Sequence, residues 1–282
     1  MICGKNYLVD LSSVSNLLPN TRRLKKFSVF TKKFKLFLVM LLITRITNSV
    51  TEVYGANILK ILVVDNSIMG RKQYEWLGDL IPNYRESMDV WISYNCEPPK
   101  TIDQYDRLIL LGSEASILDE HEWLKPEMDI IQNSIEHGIP ILGICFGHQI
   151  IVHTVLGHEY VRRCSNPELG WPEIRILKRN KLFQGISSRF FSYSFHFDEV
   201  IKSSALEILA NSDKCDIQAY KLKNKEMWGI QFHPEINIET GVQILREEAS
   251  SLIGRNNVEE IISEAYNSNI GSKILHNFIE EI

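Results

Sequence analysis

The 282-residue sequence has no Asn-x-Ser/Thr acceptor, no Cys-x-x-Cys pair and no even complement of cysteines. Its five cysteines, Cys3, Cys96, Cys145, Cys164 and Cys215, are scattered. A disulfide framework or a structural zinc site therefore fits poorly, since both need cysteines in close, regular pairs. The G-x-x-x-x-G-K-[ST] loop that cradles nucleotide phosphates is also missing. No apolar run is long. The one in the N-terminal region extends from Leu36 to Thr44 between Lys35 and Arg45, whereas a membrane-spanning helix needs roughly twenty residues. Positive charge is outnumbered outside the N-terminus. Residues 1–51 hold nine Lys/Arg and one acid, Asp10, a net of +8, which leaves -12 on the rest of a chain whose total is -4. A body of that sign does not suit a phosphate backbone, so no nucleic-acid partner is expected.

The same charge break divides the chain. Residues 1–52 read as a basic and apolar extension outside the fold, and residues 53–282 as the folded domain. The extension resembles a signal-peptide apolar core behind an overlong basic lead, or an acid-poor transit segment. A tail with no address fits equally well. The expected location is cytoplasmic, with organellar or membrane association through residues 1–51 as the alternative. Any membrane contact is expected through that extension alone.

From Asn57 the texture becomes regular. Residues 58–64 form an apolar run broken only by Lys60, as expected for a strand buried on both faces. A helix over 70–81, strands over 88–94 and 107–111, a helix over 119–137, a strand over 139–144 and a helix over 146–156 follow. Strands alternating with helices imply βαβ units and a parallel sheet. After Gly157, short strand-like runs at 173–177, 189–194, 206–210, 217–222 and 227–232 suggest mixed or antiparallel extensions. Amphipathic stretches at about 238–253 and 258–281 close the chain as helices. The expected fold is α/β, a three-layer sandwich around a mostly parallel sheet.

One segment carries chemistry. Gly143-Ile-Cys145-Phe-Gly147-His-Gln149 places a cysteine where a buried strand turns into a helix, with a glycine two residues to either side. The G-x-S-x-G elbow has this form with serine. Such a turn lifts the sulfur clear of the sheet, sets a helix N-terminus beneath it and lets the Phe146 N–H face a developing oxyanion. A free cysteine is more often a buried structural residue, so the elbow alone is suggestive. Gln231-Phe-His233-Pro-Glu235, at the end of the 227–232 strand, supplies the missing partners. A thiol nucleophile needs a base, and the base needs a third group to fix its tautomer. His233 and Glu235 are candidates for those two roles.

Together these motifs resemble the class I glutamine amidotransferases. Leu110-Leu-Gly112-Ser113 with Trp123 is similar to that family's oxyanion loop, Glu168-Leu-Gly-Trp171 to its middle segment, and Ser194-Phe-His-Phe-Asp-Glu-Val200 to the stretch that lines its glutamine site. The resemblance covers roughly residues 58–245. It implies attack of Cys145 on the side-chain amide of glutamine and protonation of departing ammonia by His233, oriented by Glu235. It further implies an oxyanion held by backbone N–H groups of Gly112, Ser113 or Phe146. By resemblance, Gln149, Ser194, Phe195 and His196 hold the glutamine. Ser113 stands where many members have a second glycine, a change that spares the backbone donor. Neither cofactor nor metal is implied. His148, His153 and His158 recur every five residues and so do not share a helix face. His196 serves equally well as a pocket residue or as the partner of a loop hydrogen bond. Three functions stay open: a component that supplies ammonia to a synthetase on a separate chain, a free-standing γ-glutamyl peptidase, and an inactive relative with a binding or regulatory role.

Overall fold

The structure is a computed structural model that describes residues 59–282. The expected extension over residues 1–52, and the start of the domain at residue 53, lie outside the described residues. Within them, a nine-stranded sheet organises the chain. Strands β1 (Ile61–Asp65), β2 (Met88–Ile92), β3 (Arg107–Leu110) and β4 (Ile141–Ile144) are joined by helices α1 (Gln73–Leu80), α2 (Leu124–His137) and, after β4, α3 (Phe146–Leu156). Strands β5 (Val161–Gly170), β6 (Glu173–Ile176), β7 (Arg189–Phe191), β8 (Ser194–Val200), β9 (Leu206–Asn211), β10 (Ala219–Leu222) and β11 (Met227–Ile230) follow. The spatial order is β2-β1-β3-β4-β11-β10-β9-β6-β7. The first five strands of that order pair in parallel and the remainder antiparallel, while β5 and β8 form a separate antiparallel pair.

The two faces of the sheet follow from its period-two side-chain alternation. Leu62 and Val64 of β1 and Leu108 and Leu110 of β3 join one core with Ile130 and Ile131 of α2 and Ile150 and Ile151 of α3. Ile61, Val63 and Ile109 face the opposite way, into a core with Leu77 of α1 and the C-terminal residues Ile274, Leu275 and Phe278. Both faces are therefore covered, which is why residues 61–64 of β1 and the whole of β4 read as unbroken apolar runs. The arrangement is the expected three-layer α/β sandwich with antiparallel strands in its second half.

Some boundaries differ from the sequence reading, each for a visible reason. The 189–194 run divides because Tyr193 leaves the sheet to bridge His233, whose N–H donates to the Tyr193 carbonyl at 2.7 Å. β5 falls where the sequence shows no strand pattern, since its burial does not alternate and it carries Pro167 within a register shift. The 238–253 helix runs as α4 (Ile238–Ile244), a π turn (Leu245–Ala249) and α5 (Ser250–Ile253). The 258–281 stretch becomes α6 (Arg255–Ser263) and α7 (Gly271–His276), and a final π turn spans Asn277–Glu281. Between α6 and α7 lie Asn267, Ser268 and Asn269, which favour turns over helix. The hairpin of α4 to α6 builds a third apolar cluster with Trp171 and Tyr193, from Ile244, Leu245, Ala249 and Val258.

The C-terminal turn is anchored deeply. Phe278 is fully buried, its ring 6.4 Å from that of Trp228 in an edge-on packing, and Asn277 donates to the carbonyls of Leu182 and Gln184 at 3.0 and 2.9 Å. Truncation there leaves a cavity that the sheet cannot collapse into. Phe278→Ala is expected to lower stability by about 3–5 kcal/mol, read as a fall in the urea unfolding midpoint. A loss below about 1 kcal/mol would show that the C-terminal turn is not part of the core.

Candidate active site

The carboxyl ends of the parallel strands converge, the edge where open α/β sheets place their sites. β1 ends at Asn66 and Ser67, β3 at Gly112, β4 at Cys145, and the chain after β11 at His233. A pocket of about 340 Å³ opens there, with Cys145, Phe146, Gln149, Ser113, Tyr193, Phe195, His196, Asp198 and His233 among its lining residues.

Cys145 sits at φ 53° and ψ -104°, a left-handed conformation that a side chain rarely adopts. Its N–H donates to the Ile230 carbonyl of β11 at 2.8 Å, and its own carbonyl accepts from Gln149 N–H at 3.1 Å, so both sides of the turn are fixed. The flanking glycines make the turn possible. A Cβ on Gly143 would overlap the Gly147 carbonyl, and one on Gly147 would overlap the Leu110 carbonyl of β3. The thiol is only 5% exposed. Its sulfur lies 3.9 Å from the Phe195 carbonyl and 3.6 Å from Gln231 Nε2.

His233 is 7% exposed, and its Nδ1 lies 2.6 Å from Glu235 Oε1. Burial opposes a proton on the imidazole. The negative charges of Glu235 and of the Cys145 sulfur, together with hydrogen bonds to both, outweigh burial and raise its proton affinity well above the ordinary histidine range. Cys145 and a His233–Glu235 pair 88 residues further along the sequence thus form one chain: sulfur, imidazole, carboxylate. Burial pushes the Cys164 thiol up to about 12 and drives Cys215 above its ordinary range. No disulfide links any of the four described cysteines.

The loop after β3 lies beside this chain. Gly112 is packed so closely that a Cβ there would come within 3.0 Å of His233 Cε1, and its carbonyl accepts from Gln73 Nε2 at 3.3 Å. Ser113 lines the pocket, its Oγ accepting from Ala115 N–H at 3.1 Å. A buried network holds the loop's root. Asn66 Nδ2 donates to the Leu111 carbonyl (3.1 Å) and to Glu127 Oε1 (3.0 Å), and Ser93 Oγ donates to Asn66 Oδ1 (2.6 Å). Burial raises the Glu127 carboxyl to about 8, so it sits there neutral at neutral pH.

Gln149, one turn beyond Cys145 on α3, donates to the Asp198 carbonyl at 2.9 Å and to Gln231 Oε1 at 3.2 Å. Phe195 and His196 line the pocket. Ser194 is buried but does not line it, and its hydroxyl has no hydrogen-bond partner among the described residues. His196 does both things its sequence position allows. It lines the pocket, and its ring is held by the Asp198 carbonyl (3.1 Å) and by Glu168 (3.4 Å), itself bonded to Ser212 (2.6 Å) and Gln218. His148, His153 and His158 do not converge. His148 is buried against Tyr220, and burial lowers its proton affinity to about 3. Among the described residues, no three His, Cys, Asp or Glu side chains cluster as metal ligands would.

The sequence reading missed Arg71, Gln73, Tyr193, Arg163 and Glu248 at the pocket, while Asp198, also there, lies inside the quoted 194–200 stretch. Tyr193 stood beside that stretch. The others come from remote segments with no local signal.

The family model for glutamine amidotransferase class-I matches residues 84–251. A glutamine-hydrolyzing GMP synthase subunit of Methanosphaera stadtmanae is 50% identical over 129 residues, 45% of this chain and 64% of that protein. The corresponding protein of Saccharolobus solfataricus is 32% identical over 152 residues, 53% of this chain and 78% of the relative. Over several such relatives, the Methanosphaera protein included, the chain spans between about half and just under two thirds of their length. A glutamine amidotransferase from Thermotoga maritima shares the fold, with a TM-score of 0.63 at 22% identity over 79% of this chain and 97% of that one.

The elbow's dependence on its glycines can be measured. Gly147→Ala is expected to cost about 3 kcal/mol, since the added carbon meets β3 backbone rather than a side chain that can move. Thermal unfolding reads the loss, and a variant within about 0.5 kcal/mol of the parent would show that the turn relaxes freely.

Proposed function

Because the chain belongs to the glutamine amidotransferase class-I family, we propose that it hydrolyses the side-chain amide of glutamine through a γ-glutamyl thioester on Cys145. The observation that carries this reading is the strained, positive-φ Cys145 set against the buried His233–Glu235 pair. The Cys145 thiolate attacks the δ-carbon of glutamine. Backbone N–H groups of Gly112, Ser113 and Phe146 receive the charge that builds on the carbonyl oxygen. His233, charged in the resting pair, gives its proton to the departing nitrogen, so ammonia leaves as the C–N bond breaks. Water then attacks the thioester, His233 takes its proton, and glutamate departs as the Cys145 thiolate is restored. Glu235 fixes the ring's orientation and keeps it charged between turnovers. Gln149, Phe195 and His196 form the wall on which the glutamine rests.

The likeness to the glutamine-hydrolyzing GMP synthase subunits supports a further reading, that the ammonia serves a synthetase carried on a separate chain. The catalytic unit on this reading is residues 53–282, with residues 1–52 outside it.

Glutamate release by the full chain, with glutamine and with γ-glutamyl dipeptides, tests the proposal. Glutamine turnover should disappear in Cys145→Ala. Faster turnover of dipeptides than of glutamine would favour a γ-glutamyl peptidase, and cleavage of neither would count against an enzyme. Glu235→Gln should reduce kcat by about a hundredfold or more. It should also move the alkaline limb of kcat/KM to lower pH. The sign follows from the raised proton affinity of His233: Glu235 is the leading charge that raises it, so removing that charge lets the ring lose its proton at a lower pH. An alkaline limb that stays in place would show that Glu235 does not act on His233.

A further inference from the structure

Leu111, the residue after β3, is gripped by the end of β1 on both of its peptide groups. Its N–H donates to the Val64 carbonyl at 2.9 Å, and its carbonyl accepts from Asn66 Nδ2 at 3.1 Å. The peptide that follows is trans. A trans peptide is planar, with its C=O and N–H pointing in opposite directions. A bond to the Leu111 carbonyl therefore also sets the direction of the Gly112 N–H.

Gly112 needs such a hold. Without a Cβ its backbone enters regions closed to other residues, so the peptide before it can turn where a side chain would restrain it. A Cβ is excluded here, since it would come within 3.0 Å of His233 Cε1 and 3.2 Å of Gln73 Oε1. Gly112 thus lies against the imidazole that protonates the leaving nitrogen. Among the described residues, no backbone carbonyl accepts from its N–H.

Asn66 is itself fixed. Its Oδ1 accepts from Ser93 Oγ at 2.6 Å, and its Nδ2 also donates to Glu127 Oε1 at 3.0 Å. All three side chains are buried, Asn66 and Glu127 completely. Oε1 of Glu127 is spent as an acceptor, so the proton that burial keeps on this acid resides on Oε2, which has no hydrogen-bond partner. Asn66 does not line the pocket. Whatever it does for the reaction passes through the one peptide it holds.

We propose that Asn66, braced by Ser93 and Glu127, is a positioning residue: it holds the Leu111–Gly112 peptide so that the Gly112 N–H meets the oxygen of the tetrahedral intermediate. The inference rests on the glutamine reading above and adds to it a requirement outside the pocket. A polar side chain that merely closed the end of β1 would have no selective effect on the chemical step.

Asn66→Leu keeps the size of the side chain and removes its hydrogen bonds. In the full chain this variant should lower kcat for glutamine by about ten- to a hundredfold, within the loss that removal of one oxyanion donor brings. KM should stay within about twofold, because the oxyanion exists only in the transition state. Alkylation of Cys145 by iodoacetamide, read by peptide mass spectrometry, is a displacement at saturated carbon that builds no oxyanion. It should proceed at the parental rate. A folded variant with kcat within about threefold of the parent would overturn the assignment. So would a fall in kcat accompanied by a changed alkylation rate or a raised KM, which is the mark of a disturbed site.

The brace gives an independent comparison. Glu127→Gln leaves an oxygen for Asn66 and puts an amide where the neutral acid stood, so it should rescue the kcat that Glu127→Leu loses. Equal kcat values in these two variants would overturn the assignment. Should neither leucine variant fold, Ser93→Ala decides: a fall in kcat at parental KM and alkylation rate supports the role, and an unchanged kcat overturns it. A parent protein alkylated at Cys145 that turns over neither glutamine nor a γ-glutamyl dipeptide would overturn the glutamine reading and this inference with it. A parent that turns over the dipeptide alone would overturn the glutamine reading only, and the same kcat comparison, made with the dipeptide, then decides on Asn66.

Discussion

Two backbone overlaps govern this molecule. No Cβ fits at Gly143 against the Gly147 carbonyl, and none at Gly147 against Leu110 of β3. With glycine at both positions, β4 can turn into α3 within a single residue, and that residue, Cys145, takes the left-handed conformation the turn demands. The cost of the strained backbone, of order 1–3 kcal/mol, is borne by the surrounding sheet. β3 and β11 flank β4 in register, so the same turn that raises the sulfur brings it beside the loop after β3 and the histidine after β11.

Electrostatics then sets one histidine apart, since burial lowers the proton affinity of His148 and His153. His233 stands between two negative groups in a buried setting, and their field outweighs the burial that would otherwise strip its proton. A second histidine–carboxylate pair, His196 with Glu168, lies on the same side of the molecule but is tied into Ser212, Gln218 and the Asp198 carbonyl. These bonds hold the β8 segment whose Phe195 carbonyl lies 3.9 Å from the Cys145 sulfur, while His196 also lines the pocket. Cys164, beside that pair, has its thiol pushed up to about 12 by burial. The neighbouring carboxylates Glu199, Asp198 and Glu168 push the Cys164 thiol in the same direction as burial.

The parallel half of the sheet was legible because strands buried on both faces are largely continuous apolar runs, as residues 61–64 and 141–144 are. The elbow and the Phe-His-Pro-Glu segment were legible because steric and tautomeric demands act on residues adjacent in sequence. What stayed hidden depends on contacts between distant segments. β5 carries a polar, irregular run that becomes a strand only by pairing with β8. The hairpin of α4 to α6 reads as helix in the sequence. Its seat over Trp171 and Tyr193 is set by packing. Arg71, Arg163 and Glu248 reach the pocket from three unrelated segments, each an ordinary surface charge in its local context.

The account stands on a covalent bond between Cys145 and the γ-carbonyl of glutamine. Acid-quenching the full chain during glutamine turnover, followed by peptide mass spectrometry, observes that bond directly. A γ-glutamyl adduct on the peptide bearing Cys145, lost on treatment with hydroxylamine, is the predicted result. Sustained glutamine turnover with the adduct on Cys96, Cys164 or Cys215, or with no adduct under conditions where deacylation is slowed, would contradict it.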